Sequence, residues 1–354
     1  MRTAVRCSFV IGYGLNYTTN ISDGFREVYT VHDTKSAIRN RPRNRALPVA
    51  IITAVKTKAT AKGTVIKMKK VIIQILKALA YFAVYFIPLN IIIFASQFIY
   101  GYFEARKYGQ AGIPYEEAMA AIQEGTGNAT VIGLLIASVL ILLTYFIIEK
   151  VKKTSLARET DIKIASTKQI VLTIIGAAGG MFFLNFIMSL LPIPEEMLNG
   201  LDNGMSNVTS SSLILGLITN SLLVPIMEEV VFRGYIFTRL NKAMPSIVAA
   251  LISSVVFGLC HGQFLWAAWA FTVGMIICVV RIKSGSIIPG MIFHIIMNTF
   301  ATVTGYTGIL EKLSDPAGIA LTVIGGLLLV VYIAGILTDK KAPKAEVTVS
   351  SSNN

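Results

Sequence analysis

The sequence predicts an all-α polytopic membrane protein of about eight transmembrane helices, with a conical or bundle-like core and an intramembrane polar cavity. Three observations point there. Mean hydropathy is +0.66 and 54% of the residues are hydrophobic. Charged residues make up only 14%, against about a quarter in globular chains. From residue 68 onward, apolar stretches near the ~20 residues needed to cross a hydrocarbon core follow one another. Basic residues then concentrate in alternate loops, as they do on the cytoplasmic side of membrane proteins.

The apolar stretches fall at 71–99, 130–148, 169–192, 212–234, 246–261, 264–280, 286–306 and 317–338. One set of flanks carries Lys69 and Lys70, then Lys150, Lys152, Lys153, Arg158, Lys163 and Lys168. The same set continues with Arg239 and Lys242, Arg281 and Lys283, and finally Lys340, Lys341 and Lys344. On the opposite side, the 100–129 loop sets Arg106 and Lys107 against four Glu, the 193–211 loop has no basic residue, and the 307–316 loop has Lys312 alone. This alternation places both ends of the membrane domain in the cytoplasm and the chain in the cell membrane as an integral, multi-pass protein. Only Gly262 and Gln263 separate the fifth and sixth stretches, so a re-entrant or kinked pair is an alternative geometry there.

Three regions follow: a basic extension over 1–67, a membrane domain over 68–340 and a polar tail over 341–354. Residues 1–67 hold 12 Lys and Arg against three acidic residues, a balance of +9 out of the chain's +13. They show no sustained helical or strand period, and the run RNRPRNR at 39–45 fits neither a signal peptide nor a packed domain. The extension reads either as a disordered basic tail on an anionic membrane surface or as the product of a start called too early, with Met68 the natural beginning. The bilayer is thus the expected partner of the basic residues, and no nucleic acid is. Cys7, Cys260 and Cys278 are too few and too scattered for a disulfide framework or a Cys-based metal site.

The stretch PIMEEVVFRGYIF, Pro225 to Phe237, places two adjacent carboxylates and an arginine inside an apolar segment. An ionisable group at that depth costs at least ~2.5 kcal/mol on insertion scales, so such groups face the bundle interior and have partners. Residues i and i+4 share a helix face while neighbours diverge, so Glu229 pairs with Arg233 and Glu228 must find its partner elsewhere. The plain structural reading, an ion pair closing the end of a helix, covers Glu229 and Arg233 but not Glu228.

Two of three histidines, His261 and His294, lie in later apolar segments. A lone histidine in an apolar helix is most often a satisfied core residue; two of them beside an unpaired glutamate reverse that expectation. His294 and Asn298 are i and i+4, on one face, and His261 lies four residues after Phe257. At ~1.5 Å per residue, Glu228, His261, His294 and Asn298 lie roughly 16, 21, 12 and 18 Å from the cytoplasmic ends of their spans. Four polar groups from three spans therefore reach one depth. A glutamate with a neutral histidine can hold and deprotonate a water, and a second histidine with an asparagine can stabilise the oxyanion of a peptide carbonyl. Glu228, His261 and His294 equally suit a zinc ion with one open position. The residues alone do not choose between these. Cys260 neighbours His261 but diverges from it and reads as packing.

Taken together, E-E-x-x-x-R at Glu228, Glu229 and Arg233, F-x-x-x-H at Phe257 and His261, and H-x-x-x-N at His294 and Asn298 resemble the signature of the CPBP family. These are intramembrane proteases related to the type II CAAX prenyl endopeptidase and to bacteriocin-processing or immunity proteins. The resemblance covers about 210–300 and shows no departure within the motifs. It implies that Glu228 with His261 activates the water, that His294 with Asn298 forms the oxyanion pocket, and that Glu229 and Arg233 shape the site. Both metalloprotease and metal-independent glutamate protease mechanisms are compatible with it. The implied substrate is a membrane protein or a peptide precursor such as a pheromone or bacteriocin. A non-catalytic immunity protein that binds a peptide toxin is the alternative, and a proton-coupled transporter fits less well because no broken spans recur in related halves.

Overall fold

A computed structural model describes residues 6–11, 15–20, 29–31, 46–190, 192–194, 212–309 and 315–339, with side chains from residue 68 onward. The chain divides into two compact units, Met1–Ile66 and Lys67–Asn354. In the first, where the sequence suggests no regular period, the described backbone forms an antiparallel sheet of β1 (Arg6–Ile11), β2 (Leu15–Asn20) and β3 (Tyr29–Val31). Its strands draw on Phe, Val, Ile, Tyr and Thr, the residues that suit a pleated surface. The polar tail expected over 341–354 lies outside the described residues.

The second unit is all α-helical. Its helices are the part of α1 (Ala46–Gln110) from Lys67 onward, membrane-length from Met68, then α2 (Tyr115–Val151), α3 (Leu156–Thr160), α4 (Thr167–Leu190), α5 (Leu213–Asn241), α6 (Ser246–Leu259), α7 (Phe264–Ser284), α8 (Ile288–Thr307) and α9 (Asp315–Thr338). Among the described residues seven helices are long and apolar enough to cross a membrane, and α6 is a shorter apolar helix. The protein is a polytopic membrane protein. Its side chains bear this out: Ile91, Phe94, Phe98 and Val330 are each more than 60% exposed, a surface only lipid or another chain can cover.

Two differences from the sequence reading matter. The 100–129 segment is largely helical, because α1 continues to Gln110 and α2 begins at Tyr115, leaving a short turn between them. Hydropathy marks where lipid ends, whereas Ala-, Glu- and Gln-rich residues such as those at 116–124 carry helix beyond it. The fifth stretch, α6, has 14 residues, about 21 Å of helix against a core of ~30 Å. It ends in a tight turn at Gly262, whose φ of +77° suits glycine, and α7 returns from there.

Buried apolar side chains form two clusters, one drawn mainly from α1, α2, α5 and α6, the other from α4, α7, α8 and α9, with Ala270 and Cys278 of α7 belonging to the first. Glycines let two helices pack closely: a Cβ on Gly179 of α4 would meet the Gly325 carbonyl oxygen of α9 at 2.6 Å.

At the basic end, the α2–α4 connection fastens several helices. Asp161 Oδ2 accepts from Arg281 Nη2 at 2.6 Å and its Oδ1 pairs with Lys163 at 2.7 Å. Ser286 Oγ donates to the Lys163 carbonyl at 2.6 Å, Glu159 pairs with Arg239, and Gly234 of α5 packs on Thr160. Partial burial raises the Asp161 pKa, but the Lys163 hydrogen bond and the Arg281 charge outweigh it and hold the carboxyl below its usual value. A depressed carboxylate stabilises the fold above its unfolded pKa of about 3.9 and loses that contribution as pH falls through its lower folded value. Thermal unfolding in detergent should therefore show a loss of stability below about pH 4 that Asp161→Asn makes shallower. Identical pH profiles for the two proteins would rule out this role.

Candidate active site

The site starts in α5, which is interrupted by two widened, π-type turns, Leu217–Leu223 and Glu229–Ile236. Pro225 accounts for the first. It has no N–H, so the Asn220 carbonyl, which would accept from position 225 in the i→i+5 register, is left without that donor. Asn298 of α8 supplies one instead: its Nδ2 donates to Asn220 O at 2.9 Å. Ser221 Oγ lies 3.3 Å from the Asn298 carbonyl, to which its one hydroxyl proton can be donated, and 3.0 Å from Thr302 Oγ1, from which it can accept.

The carboxylates follow one turn later. Glu229 and Arg233 are each 0% exposed, and Arg233 Nη1 donates to Glu229 Oε1 at 2.8 Å, the pair that helical spacing predicts. The same oxygen stands 3.1 Å from His294 Nδ1. Because an arginine-bound carboxylate can only accept, Nδ1 carries the proton, and this bond sets the ring so that Nε2 faces the other way. There His294 Nε2 lies 3.7 Å from Glu228 Oε2. That is too long for a direct hydrogen bond and suits a bridging water.

Phe257 of α6 joins the remaining groups. It is 1% exposed. The Arg233 guanidinium lies over its ring at 4.4 Å, and both imidazoles meet it edge-on, His261 at 4.9 Å and His294 at 5.8 Å. His261 sits just past the end of α6, where its Nδ1 is 2.9 Å from the Phe257 carbonyl, one of the acceptors a helix end leaves open. Its other ring neighbour is Trp266.

Of the seven residues singled out in the sequence, Glu228, Glu229, Arg233, Phe257, His261 and His294 thus form one continuous set of contacts. Asn298 lies one turn along α8 from His294, tied to α5. The helical reading missed Asn220, Ser221 and Thr302. The signal was available: an Asn-Ser pair four and five residues before a proline in an apolar span, and a threonine four residues after Asn298. Cys260 makes no polar contact with the set, and Cys278 is buried against Ser254.

Among the described residues no three His, Cys, Asp or Glu side chains are grouped to hold a metal ion, and His294 turns one nitrogen to each carboxylate. Removing the Glu229 carboxylate should leave the Arg233 charge buried and unpaired, a loss of about 3–5 kcal/mol. Glu229→Ala should therefore unfold at lower temperature than Glu229→Ala/Arg233→Leu. If the double variant is the less stable, the pair is not what holds this segment.

A family model and several known proteins match the chain. Residues 210–300 fit the family model of the type II CAAX prenyl endopeptidase Rce1-like proteins. YdiL of Bacillus subtilis (strain 168), a candidate membrane peptidase by name, is 28% identical over 233 residues, 63% of this chain and 89% of its own length. The UPF0177 protein YxdF of Lactococcus lactis is 32% identical over 125 residues, 33% of this chain and 66% of its own. The membrane-embedded CAAX protease MroQ of Staphylococcus aureus (strain USA300) is 29% identical over 89 residues, 23% of this chain and 36% of its own. No solved structure matches significantly. The three motifs lie in order on packed helices within the segment that the family model matches, and over it the chain resembles the CPBP family of intramembrane proteases related to the type II CAAX prenyl endopeptidase.

Proposed function

We propose that this protein is an intramembrane endopeptidase that hydrolyses a peptide bond of a membrane-associated or peptide-precursor substrate with a water activated by Glu228. The observation that carries the reading is the 3.7 Å approach of Glu228 and His294 from separate helices, with His294 oriented from behind by Glu229. Glu228 takes a proton from the water as its oxygen adds to the scissile carbonyl carbon, and then delivers that proton to the departing amine nitrogen as the C–N bond breaks. His261, across the Phe257 ring, helps to hold the water.

The developing oxyanion needs donors fixed in advance. Asn298 has two amide N–H groups, and the one committed to Asn220 O fixes which end of the amide faces the site, leaving the other to donate. His294 offers its Nε2 side when protonated there, with Glu229 holding Nδ1. Under this reading the lysine-rich ends of the helices, and both ends of the membrane domain, face the cytoplasm.

The test is cleavage of a fluorescence-quenched prenylated CAAX peptide, and of its unprenylated counterpart, by the full chain in detergent. Glu228→Gln should lower turnover about 10²–10⁴-fold with an unfolding temperature near that of the parent, and Asn298→Ala about 10²–10³-fold with a lower unfolding temperature, since the Asn220 carbonyl then loses its donor. Because the scheme routes no step through a metal, a chelator should leave cleavage unchanged. Full turnover by Glu228→Gln would end the hydrolytic reading in favour of a peptide-binding immunity protein. Loss on chelation, restored by zinc, would replace the water-activation scheme with a metal-dependent one.

A further inference from the structure

At the basic end of the membrane unit, away from the carboxylates, α1, α2, α3 and α5 enclose a cavity of about 650 Å³. Its lining divides by chemistry. Ala80, Val84 and Ile148 form an apolar wall, while Lys77, Lys152, Arg158 and Arg239 bring four cations against one carboxylate, Glu159. Lys152 is engaged by Glu149 at 3.1 Å and by the Tyr81 hydroxyl at 2.5 Å, and Arg239 by Glu159. Lys77 and Arg158 make no ion pair among the described residues. Two positive charges therefore stay uncompensated. Arg239 Nε and the Thr154 hydroxyl are buried with no hydrogen-bond partner in the same lining. Lys242, just past α5, has its pKa lowered by burial first and then by the Arg239 charge, as expected where cations outnumber anions. On the same helices Ile73, Leu76, Ile147 and Val151 are 49 to 77% exposed, the surface a bilayer would cover.

We propose that this cavity binds an anionic phospholipid, its phosphate held by Lys77, Arg158 and Arg239 and its acyl chains along Ala80, Val84 and Ile148. A basic pocket between helices at the headgroup level is the physical form such sites take. Free phosphate would satisfy the cations and leave the apolar wall uncovered. A zwitterionic lipid would carry its own ammonium group into a positive field. The proposal does not depend on the proteolytic reading, because none of Glu228, His261 or His294 lines the cavity.

The experiment titrates the full chain in detergent with phosphatidylglycerol, phosphatidylcholine and sodium phosphate, reading unfolding temperature and, by native mass spectrometry, lipid retained on folded protein. Phosphatidylglycerol should stabilise saturably; the other two should not. Lys77→Gln/Arg158→Gln alters exposed side chains and should weaken the apparent affinity for phosphatidylglycerol roughly thirtyfold, at about 1 kcal/mol per charge removed. Equal stabilisation by phosphatidylcholine, or undiminished retention of phosphatidylglycerol by the double variant, overturns the proposal. Equal stabilisation by sodium phosphate overturns it in favour of a free-anion site.

Discussion

The rest of the structure depends on a fully buried ion pair, Glu229 with Arg233, placed in a helix of membrane length. Taking two charges out of water is repaid only when their geometry is good and their remaining hydrogen-bonding capacity is met. Here Glu229 Oε1 serves both Arg233 and His294 and the guanidinium face rests on Phe257, while Glu229 Oε2 and Arg233 Nε and Nη2 are buried without a hydrogen-bond partner among the described residues. The neighbouring helices yield space for the pair. A Cβ at Gly274 of α7 would stand 3.1 Å from Arg233 Nη2, and one at Gly290 of α8 would lie 3.5 Å from Glu229 Oε2 and 2.6 Å from Ile277. Small residues on two helices are thus placed by a charge on a third.

That pairing decides what Glu228 can do. Arg233 pairs with Glu229, so Glu228 has no ion-pair partner from its own helix and meets an imidazole from α8 instead. The hydrogen bond from His294 to Glu229 then couples the two carboxylates through one ring. One glutamate organises and the other is left to react, a division set by which of two adjacent residues falls on the face of the arginine.

Much of this was legible in the residues themselves. Ionisable side chains in apolar stretches are conspicuous, and the i, i+4 rule identifies Glu229 with Arg233, Phe257 with His261, and the shared face of His294 and Asn298. The helical class follows from span length and hydropathy. Two things were not legible. Hydropathy is blind to helix that leaves the lipid, so the reach of α1 to Gln110 and the start of α2 at Tyr115 escaped it. The pairing of Glu228 with His294, and the role of Phe257 as the ring both imidazoles share, depend on tertiary approach, which spacing within one helix does not encode.

A helix with two widened turns is an insecure place to mount a glutamate, since such turns ease a shift in register along the axis. The fold answers by holding α5 on either side of the site. Toward the basic end, Gly234 lies against Thr160 and Arg239 pairs with Glu159. Toward the other, Asn220 and Ser221 are hydrogen-bonded to Asn298 and Thr302 of α8. Glu228 and Glu229 sit between these two attachments, and α8 carries both His294 and the second attachment. The depth of the carboxylates relative to the imidazole is therefore fixed by bonds about two and three turns away, while the groups at the centre keep hydrogen-bonding capacity for water and substrate. Pro225, by releasing the Asn220 carbonyl, makes that second attachment possible, and so belongs to the construction of the site although it touches none of its chemistry.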